Sequence, residues 1–273
     1  MRPSQILASV AIVLASSSVS AESQAPTAAI DLTYADLVDL ALAAPILAHV
    51  EIREAIRLRD ERAVGVEAGK SRFYVEADVL SLIRGERGLP AQIRYLVDLP
   101  NDWRGRPPEL EDETQFLLLA TAVPGRPGEV RLIGPEAQLP YSPRLADRMR
   151  QVLRQAAQSD APPKITGIGR AFHVPGTLPG ESETQIFLDT ADGRPVSLTI
   201  LRRPGQAPRW AVALSEIVDN SARPPEPETL LWYSLACSLP PALPPESIAG
   251  TEESQARAIR ADYQVVLEGL GPC

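Results

Sequence analysis

The stretch ILAHVEIREAIRLR, residues 46–59, decides the fold because its apolar and polar side chains alternate. Apolar residues recur on one face, at Ile46, Ala48, Val50, Ile52, Ile56 and Leu58, and polar residues such as His49 and Glu51 fall on the other. Side chains of a β-strand point alternately to opposite faces, so this period of two predicts a long strand with one buried face. A helix would instead group its apolar residues at spacings of three and four.

Four shorter segments further along the chain show a strand pattern too. They are predicted at residues 73–79, 93–97, 116–120 and 130–133. Gly85 and Gly88 mark the turn after the second predicted strand, and a turn rich in proline and glycine precedes the last one. Five short strands separated by such turns predict a small antiparallel barrel.

The first 21 residues have the three parts of a secretory signal peptide. One positive charge at Arg2 precedes an apolar run from Ile6 to Ala15, and small residues stand at Val19 and Ala21. The run is about half the length that spans a bilayer, which favours a cleaved leader over a membrane anchor. No cysteine follows the cleavage point to anchor a lipid. We expect cleavage after Ala21, a periplasmic or secreted location, and no transmembrane segment in the mature chain.

Parts of the predicted barrel resemble netrin-like domains, which have the OB fold. The similar segments are VEADVLSLIRGERG at 75–88, TQFLLLA at 114–120 and GEVRLIG at 128–134, and the resemblance covers residues 46–134. Netrin-like domains that inhibit metalloproteases reach zinc with an N-terminal cysteine. This chain has Glu22 at the expected mature N-terminus and no cysteine in the region. The resemblance therefore implies the barrel and argues against that inhibitory activity.

The second half of the chain mixes helices with a further set of strands. Ser142 and Pro143 form a strong helix start, with serine as the cap and proline at the first position. After the break DAPP at 160–163, Asp192-Gly193 predicts a hairpin turn. Two C-terminal helices are predicted at 229–238 and 252–268. We expect an α+β fold, mostly antiparallel β, with an N-terminal five-stranded OB-like barrel followed by a β-sheet domain with C-terminal helices.

These patterns divide the chain into three segments. Residues 1–21 are the leader, residues 22–140 are expected to form the barrel-like domain, and residues 141–273 are expected to form the α+β domain. The chain has 27 basic and 35 acidic residues and a net charge of −8. Neutralisation of phosphates supplies most of the affinity for nucleic acid, so an acidic chain without a basic stripe is not expected to bind it.

The only cysteines are Cys237 and Cys273. In an oxidising compartment an even pair is more often bridged than free. A bridge would fix the C-terminal residue to the body of the protein, and it is the favoured interpretation. Two free or intermolecular thiols are the alternative, and a redox role is disfavoured because the two are not in a Cys-x-x-Cys arrangement.

The two histidines, His49 and His173, both lie in predicted strands. The alternation of the second strand set places Ile168, Phe172 and Val174 on one apolar face and His173 on the other. A surface or edge position is therefore expected for both histidines, with a role as ligand or general base as the alternative.

Few residues have a pattern that points to catalysis. Ser182 lies in GESET at 180–184, which lacks the second glycine and the strand–turn–helix setting of a nucleophile elbow. A pair of His173 and Ser182 is the remaining catalytic candidate. Gly167 and Gly169 have two of the three glycines of a nucleotide loop, but no helix follows, which favours a bulge or a close backbone contact. The spacing of histidine, cysteine and acidic residues indicates no metal site and no cofactor.

Binding candidates lie in one loop and on one helix. Trp103 stands between charged residues in the segment 101–108, where an exposed aromatic would form a contact point. Arg144 and Arg148 belong to a basic run on the predicted helix after Ser142, either as a solvated face or as a docking strip for an acidic partner or anionic surface.

Three classes of function remain. The favoured one is an exported, non-catalytic binding or envelope-assembly protein, whose partner is an envelope protein or a small ligand. A periplasmic hydrolase and a secreted inhibitor or small-ligand carrier are the alternatives. The chain as a whole also resembles uncharacterised exported bacterial proteins with no assigned activity, and this resemblance implies export alone.

Overall fold

Ten strands and four α-helices make up the part of the chain that the structure describes. The computed structural model describes residues 32–85, 87–214 and 223–273, and the predicted leader lies outside them. The strands are β1 Ile46–Arg57, β2 Lys70–Arg84, β3 Gln92–Pro100, β4 Gln115–Ala122, β5 Val130–Leu132, β6 Gln138–Pro140, β7 Ile165–Pro175, β8 Ser182–Thr190, β9 Val196–Arg202 and β10 Arg209–Ala213. The helices are α1 Tyr34–Ala43, α2 Pro143–Ala156, α3 Leu230–Ala236 and α4 Glu253–Leu270, with short 3-10 helices at Asp60–Arg62 and Pro245–Ile248.

The first sheet is a nearly closed barrel. Its strand order is β3-β2-β1-β4-β5, all neighbours are antiparallel, and β6 pairs with β4. The two ends of this sheet meet, because the Arg94 N–H donates to the Gly128 carbonyl at 2.8 Å and Arg94 pairs with Glu129 in a parallel bridge. A five-stranded barrel of this kind is OB-like. The predicted α+β fold and the predicted barrel are confirmed.

The period of two in β1 explains why this strand lies at the centre of the barrel sheet. The alternate residues Ile46, Ala48, Val50 and Ile52 are buried in the barrel interior. Ile56, predicted on the same face, is 45% exposed, because the pairing of β1 with β2 shifts register between Ile52 and Glu54. Leu47 points the other way and is also fully buried, in a cluster with residues of α1, α2 and β4. The outer face of the barrel is thus partly covered by helices. The alternation alone did not predict this second buried layer, nor the three-residue strand β6 that contributes to it.

Side-chain caps start the two helices that cover the barrel, and α2 begins where the sequence predicts. Thr33 caps α1 through a reciprocal capping box with Asp36, and Ser142 caps α2 by accepting a hydrogen bond from the Leu145 N–H at 3.2 Å. At the other end of α1, the Arg84 side chain donates to the Ala41 carbonyl at 2.9 Å. These contacts satisfy backbone groups that a helix end leaves without a partner.

The second sheet has the order β10-β9-β8-β7 and is antiparallel throughout. Its inner face packs against α3, α4 and the 3-10 helix at Pro245–Ile248, and the core between them includes Tyr263 and Ile259 of α4. The predicted turn at Asp192-Gly193 joins β8 to β9. The second sheet with C-terminal helices is therefore also as predicted. The division between residues 140 and 141 into two domains stays a prediction.

One prediction for the second sheet is wrong. Ile168 is buried, but Phe172 and Val174 are 49% and 63% exposed, while the His173 side chain is only 12% exposed. The pairing of β7 with β8 shifts register between Ile168 and Ala171. A bulge of this kind reverses which face the following residues occupy. His173 consequently points towards α4, and the two apolar residues beside it point outwards.

The glycines of β7 have a packing reason. A Cβ atom at Gly167 or Gly169 would lie 3.3 Å or 3.2 Å from the carboxylate of Asp189 on β8. The backbone of β7 and this side chain therefore approach each other more closely than another residue type would easily allow. The bulge and close contact predicted for this motif are confirmed.

The C-terminus is attached to the body of the protein by a disulfide between Cys237 and Cys273, whose Cα atoms are 5.0 Å apart. The predicted bridge is thus present. Beside it, the indole N–H of Trp232 on α3 donates to the Leu270 carbonyl at the end of α4, at 2.8 Å. Among the described helices, none is long and apolar enough to cross a membrane.

Candidate functional site

Two loops meet at one end of the barrel. The β1–β2 loop covers residues 58–69 and the β3–β4 loop covers residues 101–114. The Asn101 N–H donates to the Gly69 carbonyl at 2.8 Å, and the Ser71 hydroxyl donates to the Asn101 side chain at 2.7 Å. We call residues 57–72 and 98–108 the barrel-end surface.

Trp103 is the most exposed large apolar side chain of the described residues, at 84%. Asp102 fixes the conformation of the loop that carries Trp103. The Asp102 Oδ1 accepts hydrogen bonds from the backbone N–H groups of Arg104 and Arg106, both at 2.8 Å. The Asp102 Oδ2 forms an ion pair with the Arg106 side chain at 2.7 Å. The backbone N–H of Arg106, more than its side chain, lowers the pKa of the Asp102 carboxyl. Gly105, at φ 75°, completes the tight turn.

The side chains around Trp103 suit a contact surface. The guanidinium carbon of Arg104 lies 4.3 Å from the centre of the indole ring, a cation–π arrangement. On the neighbouring β1–β2 loop, Val64 is 76% exposed. An open cleft of about 500 Å³ lies beneath this loop. The barrel-end surface therefore combines exposed apolar side chains, arginines and a concave region within two connected loops.

Arg72 of β2 connects the β1–β2 loop to strand β3. Its guanidinium makes two hydrogen bonds to the Asp98 carboxylate, at 2.6 Å and 2.7 Å, and a third to the Val64 carbonyl at 3.0 Å. Paired hydrogen bonds between arginine and a carboxylate fix geometry as well as charge. The hydrogen bonds from Arg72 lower the pKa of Asp98 below its ordinary value of 3.8.

We expect the Asp98→Asn variant to lose about 0.5–1 kcal/mol of stability at pH 7, a modest amount because the pair borders solvent. Since the pKa of Asp98 is lower in the folded state, its contribution is complete above pH 3.8 and is lost as the pH falls through the folded value. The gap between wild type and variant should therefore shrink between pH 7 and pH 3, measured by urea unfolding. A gap in the free energy of unfolding that stays constant over this range would show that the charge of Asp98 does not contribute to it.

A second polar cluster lies between the second sheet and α4. Asp262 of α4 is fully buried, and its Oδ1 accepts a hydrogen bond from Arg202 Nε at 2.5 Å. The hydroxyl of Thr184, which is also fully buried, donates to Asp262 Oδ2. His173 Nδ1 lies 2.8 Å from this hydroxyl and 3.8 Å from the Asp262 carboxylate. Three strands of the sheet thus reach one carboxylate on the helix.

The cluster determines which nitrogen of His173 carries a proton. A threonine hydroxyl has one hydrogen, and Thr184 uses it towards Asp262. His173 must therefore donate from Nδ1 to the Thr184 oxygen. Ser182, the predicted partner of His173, is the first residue of β8, two residues before Thr184. The structure brings Thr184 to His173, and within its described residues Ser182 makes no hydrogen bond to that histidine.

Asp262 and Arg202 were not among the predicted site residues, although their positions in the apolar patterns of α4 and β9 mark them. Asp262 is three residues after Ile259 and four before Val266, which places it on the apolar stripe of α4. A carboxylate on such a stripe needs a buried partner. Arg202 follows Ile200 at a spacing of two, so it extends the inward face of β9.

The other predicted binding residues lie on α2. Arg148 makes an ion pair with Glu228 at 3.0 Å, and its guanidinium lies 6.0 Å from the ring of Tyr34. Arg144 is exposed. The structure therefore places Arg148 in contacts within the chain and leaves Arg144 facing solvent. Both arrangements are those expected of a solvated helix face. Neither lies on the barrel-end surface with Trp103.

The other histidine, His49, also has partners within the chain. Its ring stacks on Tyr141, with centres 3.6 Å apart and planes within 9°. The Gln115 side chain donates to Glu51 at 2.9 Å, so its oxygen accepts the hydrogen bond from His49 Nε2, also at 2.9 Å. His49 therefore lies on the outer face of β1, as predicted, in a chain of hydrogen bonds between neighbouring strands.

In comparisons with known proteins, neither a protein-family model nor a curated protein matches the chain.

Proposed function

We propose that this chain is an exported, non-catalytic binding protein that contacts an envelope component through the barrel-end surface. The observation that carries the proposal is Trp103, which is 84% exposed on a loop whose conformation is fixed by Asp102. The indole ring has the Arg104 guanidinium against it and is otherwise open to solvent, where a partner can reach it. Tryptophan and arginine are the side chains most often found at the energetic centres of protein interfaces.

The rigidity of the loop supports the same conclusion. Binding through a flexible loop costs conformational entropy for each side chain that becomes ordered. Here the hydrogen bonds of Asp102 hold the β3–β4 loop, and the hydrogen bond from Arg72 to the Val64 carbonyl holds the β1–β2 loop, before any partner arrives. The surface is therefore organised in advance for contact, which lowers the cost of association.

Export is supported by two independent features. The leader pattern of residues 1–21 is one, and the disulfide between Cys237 and Cys273 is the other, since such bonds persist in oxidising compartments. A catalytic role receives less support, because His173 is tied to Thr184 and Asp262 between a sheet and a helix. Small-ligand carriage is the second candidate, and the cleft beneath the β1–β2 loop favours it.

The test is capture of envelope components by the mature protein, as exported by the cells that produce it. We expect reproducible capture that falls about 30-fold in Trp103→Ala, since a central tryptophan contributes roughly 2 kcal/mol or more. Leu178→Ala is the matched control, because Leu178 is 59% exposed in the turn between β7 and β8, outside the barrel-end surface. Equal loss in both variants, or none in either, would contradict the proposed site. Turnover on a panel of hydrolase substrates that depends on His173 would favour the hydrolase instead.

A further inference from the structure

We infer that the envelope component contacted by the barrel-end surface is the face of an anionic lipid bilayer. This inference rests on the proposed function, because it names the partner of the same site. Three features of the surface support it: its exposed apolar tips, its arginines, and the cleft beside them.

The two loops each present an apolar tip. Trp103 and Val64 are 84% and 76% exposed and lie on separate loops whose stems are hydrogen-bonded to each other. Around Val64, the sequence AVGVEAG at 63–69 contains a single charged residue, Glu67, and that residue is paired with Lys70 at 2.8 Å. Tryptophan favours the boundary between headgroups and acyl chains, where its ring is buried and its N–H reaches water. Two small tips of this kind fit a fluid surface better than one deep protein pocket.

Arginines surround these tips. Four of them are exposed on the barrel-end surface and make no ion pair with any described residue: Arg57, Arg59, Arg62 and Arg104. Asp60 and Glu61 are the acidic residues of this surface that likewise lack an ion pair among the described residues. The charges of the barrel-end surface that lack an ion pair are therefore net positive, in a chain whose net charge is −8. Positive charge next to apolar tips complements anionic headgroups.

The cleft gives the arginines a concave arrangement. Four basic residues line it, Arg57, Arg59, Lys70 and Arg72, together with two acidic ones, Asp60 and Glu67, of which Glu67 is paired with Lys70. A phosphate of a lipid headgroup would meet the guanidinium groups of Arg57 and Arg59 there, which make no ion pair with any described residue, while Val64 and Trp103 enter the interface. The β3–β4 loop ends in four exposed acidic residues, Glu109, Glu111, Asp112 and Glu113, and the Glu113 N–H donates to the carbonyl of Ile52, five residues before the end of β1. That part of the loop lies along the barrel wall.

Vesicle binding by the mature protein tests the inference. We expect sedimentation with vesicles of phosphatidylglycerol and phosphatidylcholine, little with phosphatidylcholine alone, and weaker binding as salt rises. Arg59→Gln and Arg62→Gln should each lower the partition coefficient about fivefold, and Trp103→Ala should lower it at least tenfold. Leu178→Ala and Arg144→Gln are matched controls, one apolar and one basic, and both should bind as wild type does.

Brominated lipids give a second readout that depends on depth. They should quench the fluorescence of Trp103, and the Trp103→Phe variant should lose this quenching, since Trp210 is buried and Trp232 is half-buried. Equal binding to neutral vesicles would overturn the inference, as would binding of soluble glycerol phosphate without binding of vesicles. Absence of vesicle binding alongside Trp103-dependent capture of an envelope protein would overturn the bilayer and leave the proposed function standing. Absence of both would overturn both.

Discussion

Replacement of Asp262 by alanine is expected to lower the free energy of unfolding by about 3 kcal/mol. The Asp262 carboxylate is fully buried and accepts hydrogen bonds from Thr184 and Arg202. Without it, the buried Thr184 hydroxyl would lose the acceptor of its proton, and the Arg202 charge would remain beside an apolar core. A loss of about 3 kcal/mol is at the lower end of the range for removing one partner of a buried ion pair. We choose this end because the Arg202 side chain is 36% exposed and can be partly hydrated.

Urea unfolding followed by circular dichroism measures this loss. Glu253→Ala is the matched control, because Glu253 lies on the same helix and makes an exposed ion pair with Arg260 at 3.3 Å, so its removal should change stability little. Thr184→Val keeps the shape of the side chain and removes only the hydroxyl, and it should cost about 1–2 kcal/mol. An Asp262→Ala variant as stable as Glu253→Ala would show that the cluster does not hold α4 to the sheet.

Removal of the disulfide is expected to cost about 3–4 kcal/mol. The bond between Cys237 and Cys273 closes a loop with a sequence separation of 36, which contains the whole of α4. Loss of the bond gives the unfolded chain more freedom, and the model of loop-closure entropy sets the magnitude. The double variant Cys237→Ala/Cys273→Ala removes the bond without leaving a reactive thiol.

Thermal and urea unfolding of this double variant should show the loss, and reduction of the wild-type protein with dithiothreitol should reproduce it. The double variant itself should no longer respond to dithiothreitol, which is the control for effects of the reagent. A double variant within about 1 kcal/mol of wild type would contradict this account, because it would show that the bond restricts the unfolded chain little.

The barrel was predictable because its signal is local. β1 alternates over most of its length, and the turns that follow it contain glycine and proline at the positions where the chain reverses. The features that were missed depend on contacts between distant segments. The burial of Leu47 requires α1 and α2 to be in place, and β6 forms through its pairing with β4. A pattern within one segment does not contain this information.

The bulge in β7 shows the same limit. A single register shift after Ile168 turned Phe172 outwards and His173 inwards. The strand itself was therefore predicted correctly, but the faces of its later residues were not. Gly167 and Gly169 did mark the irregularity. They did not indicate how many residues the register shifts, because the register is a property of the pairing of β7 with β8 and is not contained in the sequence of β7 alone.

The candidate site was predictable in part. Trp103 stood out as an aromatic between charges, and the structure places it in solvent. The Asp102 clamp and the link from Arg72 to Asp98 could not be foreseen, because they depend on the exact conformation of a loop and on the pairing of β2 with β3. The sequence also offered Arg148 as a binding residue, and its ion pair with Glu228 joins residues 80 positions apart.

The central claim, that the barrel-end surface is the contact site, is tested most directly by photo-crosslinking in the producing cells. A photoreactive phenylalanine analogue would replace Trp103 in one variant and Leu178 in another, since both side chains are exposed and they lie on different parts of the protein. We predict crosslinks to an envelope component, lipid or protein, from position 103 and none above background from position 178. Crosslinks from position 178 alone, or from neither position, would contradict the account.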